Sequence, residues 1–232
     1  MTADVGAGSP GPGRGDLAPA RTGIRIKICG IRDPEHALAA AEAGADYIGM
    51  IFYPPAGRYV PPAEARRIAD AMKGLGPKLV GVFVNQTAEA INATAEFCGL
   101  DLVQLSGDEP WGFCHDLSVP AIKALRVSAA TCVDDVVEEL DRELPGHQGL
   151  CLMESRVEGA FGGTGHTMDW ALAAAAAQKH QFLLAGGLDP ENVGGAVARV
   201  RPWGVDVSSG VETAGRKDPE KIRAFIKAVR EA

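Results

Sequence analysis

From Ile24 onward the chain repeats one pattern: a short β-branched apolar run, a polar loop, then an alanine-rich stretch with apolar residues at helical spacing. The pattern recurs eight times. Strands are expected at Ile24–Cys29, Tyr47–Phe52, Lys78–Val84, Leu102–Leu105, Ala121–Leu125, Leu150–Glu154, Phe182–Ala185 and Gly204–Val207. The intervening helices are expected at Pro34–Ala43, Pro62–Lys73, Ala88–Cys98, Pro110–Leu117, Ala129–Leu140, Met168–Gln178, Pro190–Val200 and Asp218–Arg230. Asp33-Pro34, Asp189-Pro190 and Asp218-Pro219 each place a side-chain acceptor at an N-cap and proline at the first helical position. Eight βα units of roughly 26 residues leave a closed eightfold barrel or an open doubly wound sheet. The expected fold is α/β, a single (β/α)8 TIM barrel over residues 23–232.

The 22 residues before it, Met1 to Thr22, are rich in Gly, Pro and Ala and hold almost no large apolar side chain. Such a stretch cannot offset its own ordering entropy, so a disordered extension is expected. The remainder of the 232-residue chain, in a composition 46% hydrophobic and 23% charged, suffices for one substantial core. Asp and Glu outnumber Lys and Arg by 30 to 23, which argues against a nucleic-acid surface. Five cysteines, an odd number without a CxxC pair, fit a reducing cytoplasm. The longest nearly apolar run, Trp170 to Ala177, falls far short of the roughly 20 residues that span a membrane. The five histidines are scattered without an HExxH pattern, so no metal site is expected.

In such a barrel the chemistry sits where strands end and βα loops begin. The first strand ends at Cys29-Gly30, which puts a thiol at the mouth. It could act as base or nucleophile, or simply as a small buried hydrophobe. The loop after the second strand presents Arg58 beside Tyr59. An arginine there can grip a carboxylate bidentately, or it is a solvated loop cation. Gly162-Gly163-Thr164-Gly165 after strand six, Gly186-Gly187 after strand seven and Ser208-Ser209-Gly210 after strand eight lie where barrels commonly hold a phosphate on exposed amides. Glu154 ends strand six and Asp206 lies in strand eight. Each is either a carboxyl with a raised pKa serving as acid or a structural carboxylate paired with Lys27 or Arg58.

Taken together, the phrases from Ile24 to the C-terminus resemble the phosphoribosylanthranilate isomerase family. The resemblance rests on Lys27-Ile28-Cys29-Gly30-Ile31, Gly57-Arg58-Tyr59, Gly81-Val82-Phe83-Val84-Asn85, Val103-Gln104-Leu105, Gly162-Gly163-Thr164-Gly165 with Asp169-Trp170, Gly186-Gly187-Leu188 with Pro190-Glu191-Asn192-Val193, and Val205-Asp206-Val207-Ser208-Ser209-Gly210-Val211-Glu212. It implies a cofactor-free Amadori rearrangement of N-(5-phosphoribosyl)anthranilate to 1-(2-carboxyphenylamino)-1-deoxyribulose 5-phosphate, a step of tryptophan biosynthesis. Cys29 matches the family's base and Glu154 falls where its acid belongs. Arg58 matches the residue set against the anthranilate carboxylate, the amides around Gly163, Gly187, Ser209 and Gly210 would hold the phosphate, and Asp206 would line the anthranilate side.

Two positions depart from the family pattern. Glu154 stands where aspartate is usual, which carries the carboxyl on the order of 1 Å further, and a misplacement of that size can cost about 10²-fold in rate. Ser106 precedes Gly107 where the family has histidine. The rival readings are an isomerase or epimerase of another phosphorylated sugar, which would have no use for Arg58 beside Tyr59, and a phosphate-binding barrel without turnover. The expected partner is a small molecule, with neither nucleic acid nor membrane; the sequence leaves the oligomeric state open.

Overall fold

The computed structural model describes residues 23–128, 130–147, 149–155 and 168–232. Within them eight parallel strands close in sequence order into a barrel: β1 (Arg25–Cys29), β2 (Tyr47–Ile51), β3 (Lys78–Phe83), β4 (Leu102–Leu105), β5 (Ala121–Val127), β6 (Leu150–Ser155), β7 (Phe182–Leu184) and β8 (Gly204–Val207). Closure comes from β8 pairing back onto β1, with Val205 opposite Ile26 and Asp206 opposite Lys27. The extension Met1 to Thr22 and the phosphate-loop candidate Gly162-Gly163-Thr164-Gly165 lie outside the described residues.

Seven α-helices are described around the barrel: α1 (Pro34–Ala43), α2 (Pro62–Ala71), α3 (Ala88–Cys98), α4 (Val133–Glu143), α5 (Trp170–Ala177), α6 (Val193–Val200) and α7 (Pro219–Arg230). The Asp-Pro signals divide. Asp33 and Asp218 cap α1 and α7, accepting from the amides of His36 and Glu220, each at 3.0 Å. Asp189 instead takes the amides of Glu191 and Asn192 at 3.0 and 2.8 Å in a tight turn, so α6 begins three residues after Pro190. Ser128 and Thr131 similarly bond each other's backbone and hydroxyl groups, and α4 begins at Val133 rather than Ala129. Short polar side chains that satisfy nearby amides compete with the first helical turn.

The helix expected at Pro110–Leu117 is a 3-10 helix over Trp111–Asp116. Six residues containing Gly112, with no side-chain cap, give little to nucleate an α-helix. Trp111 anchors the segment by donating its indole N–H to Glu139 of α4 at 2.9 Å. A small hairpin, β9 (Glu212–Thr213) and β10 (Arg216–Lys217), follows β8 where the sequence pattern foretold none.

Alternation along each strand separates two apolar layers. Ile26, Ile28, Met50, Phe83, Met153 and Leu184 face the helices in the larger core. Tyr47, Val80, Leu102, Ile122, Leu150, Leu152 and Leu183 fill the barrel interior. Trp203, 6.3 Å from Tyr47 ring to ring, packs at its lower end. Above this plug, at the end where the β-strands pass into βα loops, the inward-facing side chains turn polar, with Lys27, Gln104, Glu154 and Asp206 buried there. Among the described residues no helix is long and apolar enough to cross a membrane.

Candidate active site

On β1, Lys27 and Cys29 share the inward face because they are two residues apart. Lys27 is fully buried, and its ammonium donates to Asp206 Oδ1 at 2.7 Å. Of the two readings left open for Asp206, the pairing with Lys27 is the one the geometry has, and Asp206 also lines the mouth beside Glu154. Burial pushes the Cys29 thiol above its ordinary pKa, while the neighbouring Lys27 ammonium pulls it down.

Glu154, at the end of β6, is 7% exposed, and its Oε1 has no hydrogen-bond partner among the described residues. Burial first, and the nearby Asp206 carboxylate second, push its pKa up to about 7, against the pull of Arg126, Lys27 and Lys123. A carboxyl so placed is partly neutral at neutral pH and can donate a proton. Gln104 on β4 holds a second buried acceptor without a described partner, its Oε1, while its amide donates to Ser106 Oγ at 2.9 Å. Ser106, the departure from the family's histidine, thus serves to fix that amide.

One cleft joins Glu154 and Asp206 to Gly186, Gly187, Ser208 and Ser209. Gly186 and Gly187 both take positive φ, 93° and 61°, a backbone path that side chains resist and that turns the loop after β7 over the barrel rim. Gly210 lies against the backbone of Leu188 and Asp189, so the loops after β7 and β8 are packed together. Exposed amides along such loops form an anion cradle. Ser208 also ties this side to β1, its hydroxyl donating to the Cys29 carbonyl at 3.2 Å.

Arg58 reaches the mouth from the loop after β2 but is not a solvated cation. Its Nε and Nη2 donate to the two oxygens of Glu212 at 2.7 and 2.9 Å, and Lys217 of β10 donates to the same carboxylate at 2.8 Å and to the Ser208 carbonyl at 2.7 Å. Although burial opposes it, this double pairing holds Glu212 down at about 2. One edge of the guanidinium is therefore fixed to protein.

Residue-by-residue reading named Lys27 only as a possible partner of a mouth carboxylate and did not single out Gln104, Glu212 or Lys217 as members of the site. A lysine two residues before the mouth thiol on an inward-facing strand was the available signal for Lys27. Nothing local marks Glu212 or Lys217, because the unforeseen hairpin delivers them.

A thiol and a half-neutral carboxyl at the carboxyl ends of parallel strands, beside a glycine- and serine-lined cradle after β7 and β8, define a (β/α)8-barrel enzyme built for proton transfer. Within that class, the chain belongs to the N-(5'-phosphoribosyl)anthranilate (PRA) isomerase family, whose sequence profile matches residues 26–228. It is 48% identical over 214 residues to the N-(5'-phosphoribosyl)anthranilate isomerase of Roseiflexus castenholzii, covering 89% of this chain and 98% of that one. The isomerase of Dehalococcoides mccartyi is 41% identical over 213 residues, covering 90% and 97%. Among solved structures, phosphoribosyl anthranilate isomerase from Thermotoga maritima superposes with a TM-score of 0.77 at 38% identity, covering 90% of this chain and all of that one. A phosphoribosyl anthranilate isomerase in complex with reduced 1-(o-carboxyphenylamino)-1-deoxyribulose 5-phosphate superposes at 0.74 with 37% identity, covering 90% of this chain and all of that one.

Proposed function

We infer that this chain carries out the isomerisation its family is named for, with Glu154 as the acid and Cys29 as the base. The observation that carries the assignment is the Glu154 carboxyl, buried at the mouth with one oxygen unpartnered among the described residues and a pKa near 7. Glu154 protonates the furanose ring oxygen of N-(5-phosphoribosyl)anthranilate. The C1–O bond breaks as the nitrogen lone pair forms C1=N, giving an open-chain Schiff base. The Cys29 thiolate then takes the C2 proton. The C–H electrons become C1=C2, and the C=N pair returns to nitrogen as an enolamine, which tautomerises to 1-(2-carboxyphenylamino)-1-deoxyribulose 5-phosphate. Atoms balance within one molecule, so no oxidant or cofactor is required.

The substrate carries a phosphate and a carboxylate, and the mouth offers a holder for each. Amides around Gly187, Ser209 and Gly210 take the phosphate, while Gly186 and Ser208 shape that cradle; Gly163, expected to join them, lies outside the described residues. The free edge of Arg58 takes the anthranilate carboxylate, and Asp206 lines the anthranilate side. Gln104 Oε1 and Glu154 Oε1, both lacking described donors, suit the sugar hydroxyls and ring oxygen. The same reading takes the reaction to be cytoplasmic, which the free cysteines and a phosphorylated small-molecule substrate support.

Measuring kcat for Glu154→Gln, Cys29→Ala and Asp206→Asn side by side tests the roles. Glu154→Gln and Cys29→Ala should each lose about 10²-fold or more, the scale of a lost proton-transfer group, with KM little changed. A fully active Glu154→Gln enzyme would move the acid to another group, Asp206 first. Glu154→Asp should retain activity.

A further inference from the structure

We propose that Lys27 is a positioning residue that serves as counter-cation to the Cys29 thiolate, with Asp206 anchoring its ammonium and Gly49 giving both side chains their room. The inference rests on the reading of Cys29 as base. Three observations place Lys27 there. Its side chain is wholly buried on the same strand face as Cys29, two residues along β1. Its ammonium sits 2.7 Å from Asp206 on β8. Gly49, the register partner of Cys29 on β2, makes room for both: a Cβ there would lie 2.9 Å from Cys29 Sγ and 3.2 Å from Lys27 Nζ. Sulfur and ammonium therefore border the same point inside the barrel.

Charge accounting shows why a lysine belongs there. A thiolate in a closed barrel is expensive without a cation beside it. The other charged groups facing Cys29 are Asp206 from β8, Lys217 from β10 and Arg58 from the loop after β2, and both of those cations are already tied to Glu212. Glu154 faces Lys27 from β6. While Cys29 is a thiol, Lys27 and Asp206 form a closed pair. When the thiol loses its proton, the same ammonium faces two anions and holds both. When the thiolate collects the C2 proton, Lys27 returns to Asp206 alone. Lys27 stays charged throughout, because Asp206 and Cys29 outweigh its burial and raise its pKa.

Asp206 and Cys29 thus compete for one cation, which gives the proposal opposite signs at two positions. The readout is the pH midpoint of Cys29 alkylation by iodoacetamide, followed by mass spectrometry of the Cys29 peptide in the full chain. Lys27→Met should raise that midpoint by one pH unit or more. Asp206→Asn, which frees the ammonium for the thiolate, should lower it by a comparable amount. A merely structural role predicts no such opposition. If Lys27→Met does not fold, Lys27→Gln takes its place, because Asp206→Asn also removes a carboxylate that by itself raises the thiol pKa. An unchanged or raised midpoint in Asp206→Asn, or an unchanged one in Lys27→Met, overturns the pairing. Alkylation is read without substrate, so near-normal turnover by Cys29→Ala would sink the base assignment without touching this measurement.

Discussion

At the scale of single residues, the groups proposed as acid and base have pKa values in the unusual order. Glu154 sits at about 7, while burial pushes Cys29 above its ordinary value. The active form, a neutral Glu154 with an ionised Cys29, is then a minority at every pH. Its population rises with pH below about 7, where Glu154 is fully protonated and the thiolate fraction grows. It stays flat while the two ionisations offset each other, and falls above the thiol's pKa. kcat/KM should therefore climb to a plateau beginning near pH 7, after allowance for the substrate phosphate, which gains a proton near pH 6. Glu154→Asp, whose carboxyl has a lower intrinsic pKa, should lower the plateau and start it at more acid pH. A parent enzyme whose rate falls between pH 7 and 8 would contradict this order. For Arg58, whose other edge is fixed by Glu212, loss of a charge-assisted bond to the anthranilate carboxylate should cost about 1.5–3 kcal/mol. KM for phosphoribosylanthranilate should rise accordingly in Arg58→Ala. An equal loss on an aminoaldose phosphate lacking the carboxylate would remove Arg58 from that role.

Among the elements, β9 and β10 do more for the site than their length suggests. Four paired residues bring Lys217 under Ser208 and Glu212 onto Arg58, so the loop after β8 and the loop after β2 share one buried ion cluster at the mouth. The hairpin is in turn tied to α7, since Asp218 accepts from the Thr213 hydroxyl at 2.7 Å while capping the helix through the amide of Glu220. Asp218→Ala removes both bonds. The expected cost is about 1–2 kcal/mol, seen as a lower urea midpoint with an unchanged m-value. Because α7 packs against α1 and α6 around the closure of the barrel, the loss should appear in global unfolding. A drop in activity with no change in midpoint would instead locate Asp218's contribution in the hairpin.

On the scale of the whole molecule, the barrel is closed by its own ends. β8 pairs with β1, and Arg230 of α7 reaches the Ile24 carbonyl at 2.5 Å and Asp46 at 3.2 Å, where Asp46 in turn accepts the Ile26 amide. The closure contacts found among the described residues begin at Ile24. Deleting Met1 to Thr22 should leave kcat unchanged and Tm within about 2 °C, given that 1 kcal/mol moves Tm by roughly 2–4 °C for a domain of this size. A fall of several degrees would show that the extension packs on the barrel.

What the sequence determined by itself was periodicity and punctuation. Eight alternations of strand and helix, the caps at Asp33 and Asp218, and the positions of Cys29, Glu154, Arg58, Asp206 and the glycine pair at 186–187 all follow from residues close along the chain. Local physics acts over a few residues: a strand alternates faces every two, and a cap satisfies amides two or three residues on. The same locality misled at Asp189, where a turn satisfied the amides that a helix would have used, and at Pro110–Leu117, where no cap and a glycine left only a 3-10 turn. Tertiary structure decided which charges meet. Lys27 and Asp206 are 179 positions apart, and Arg58 and Glu212 are 154. They are neighbours only because β8 closes on β1 and a hairpin folds over the mouth. Those encounters fix the protonation of the site, because a charge removed from water is governed by its nearest partner across space rather than by its place in the chain.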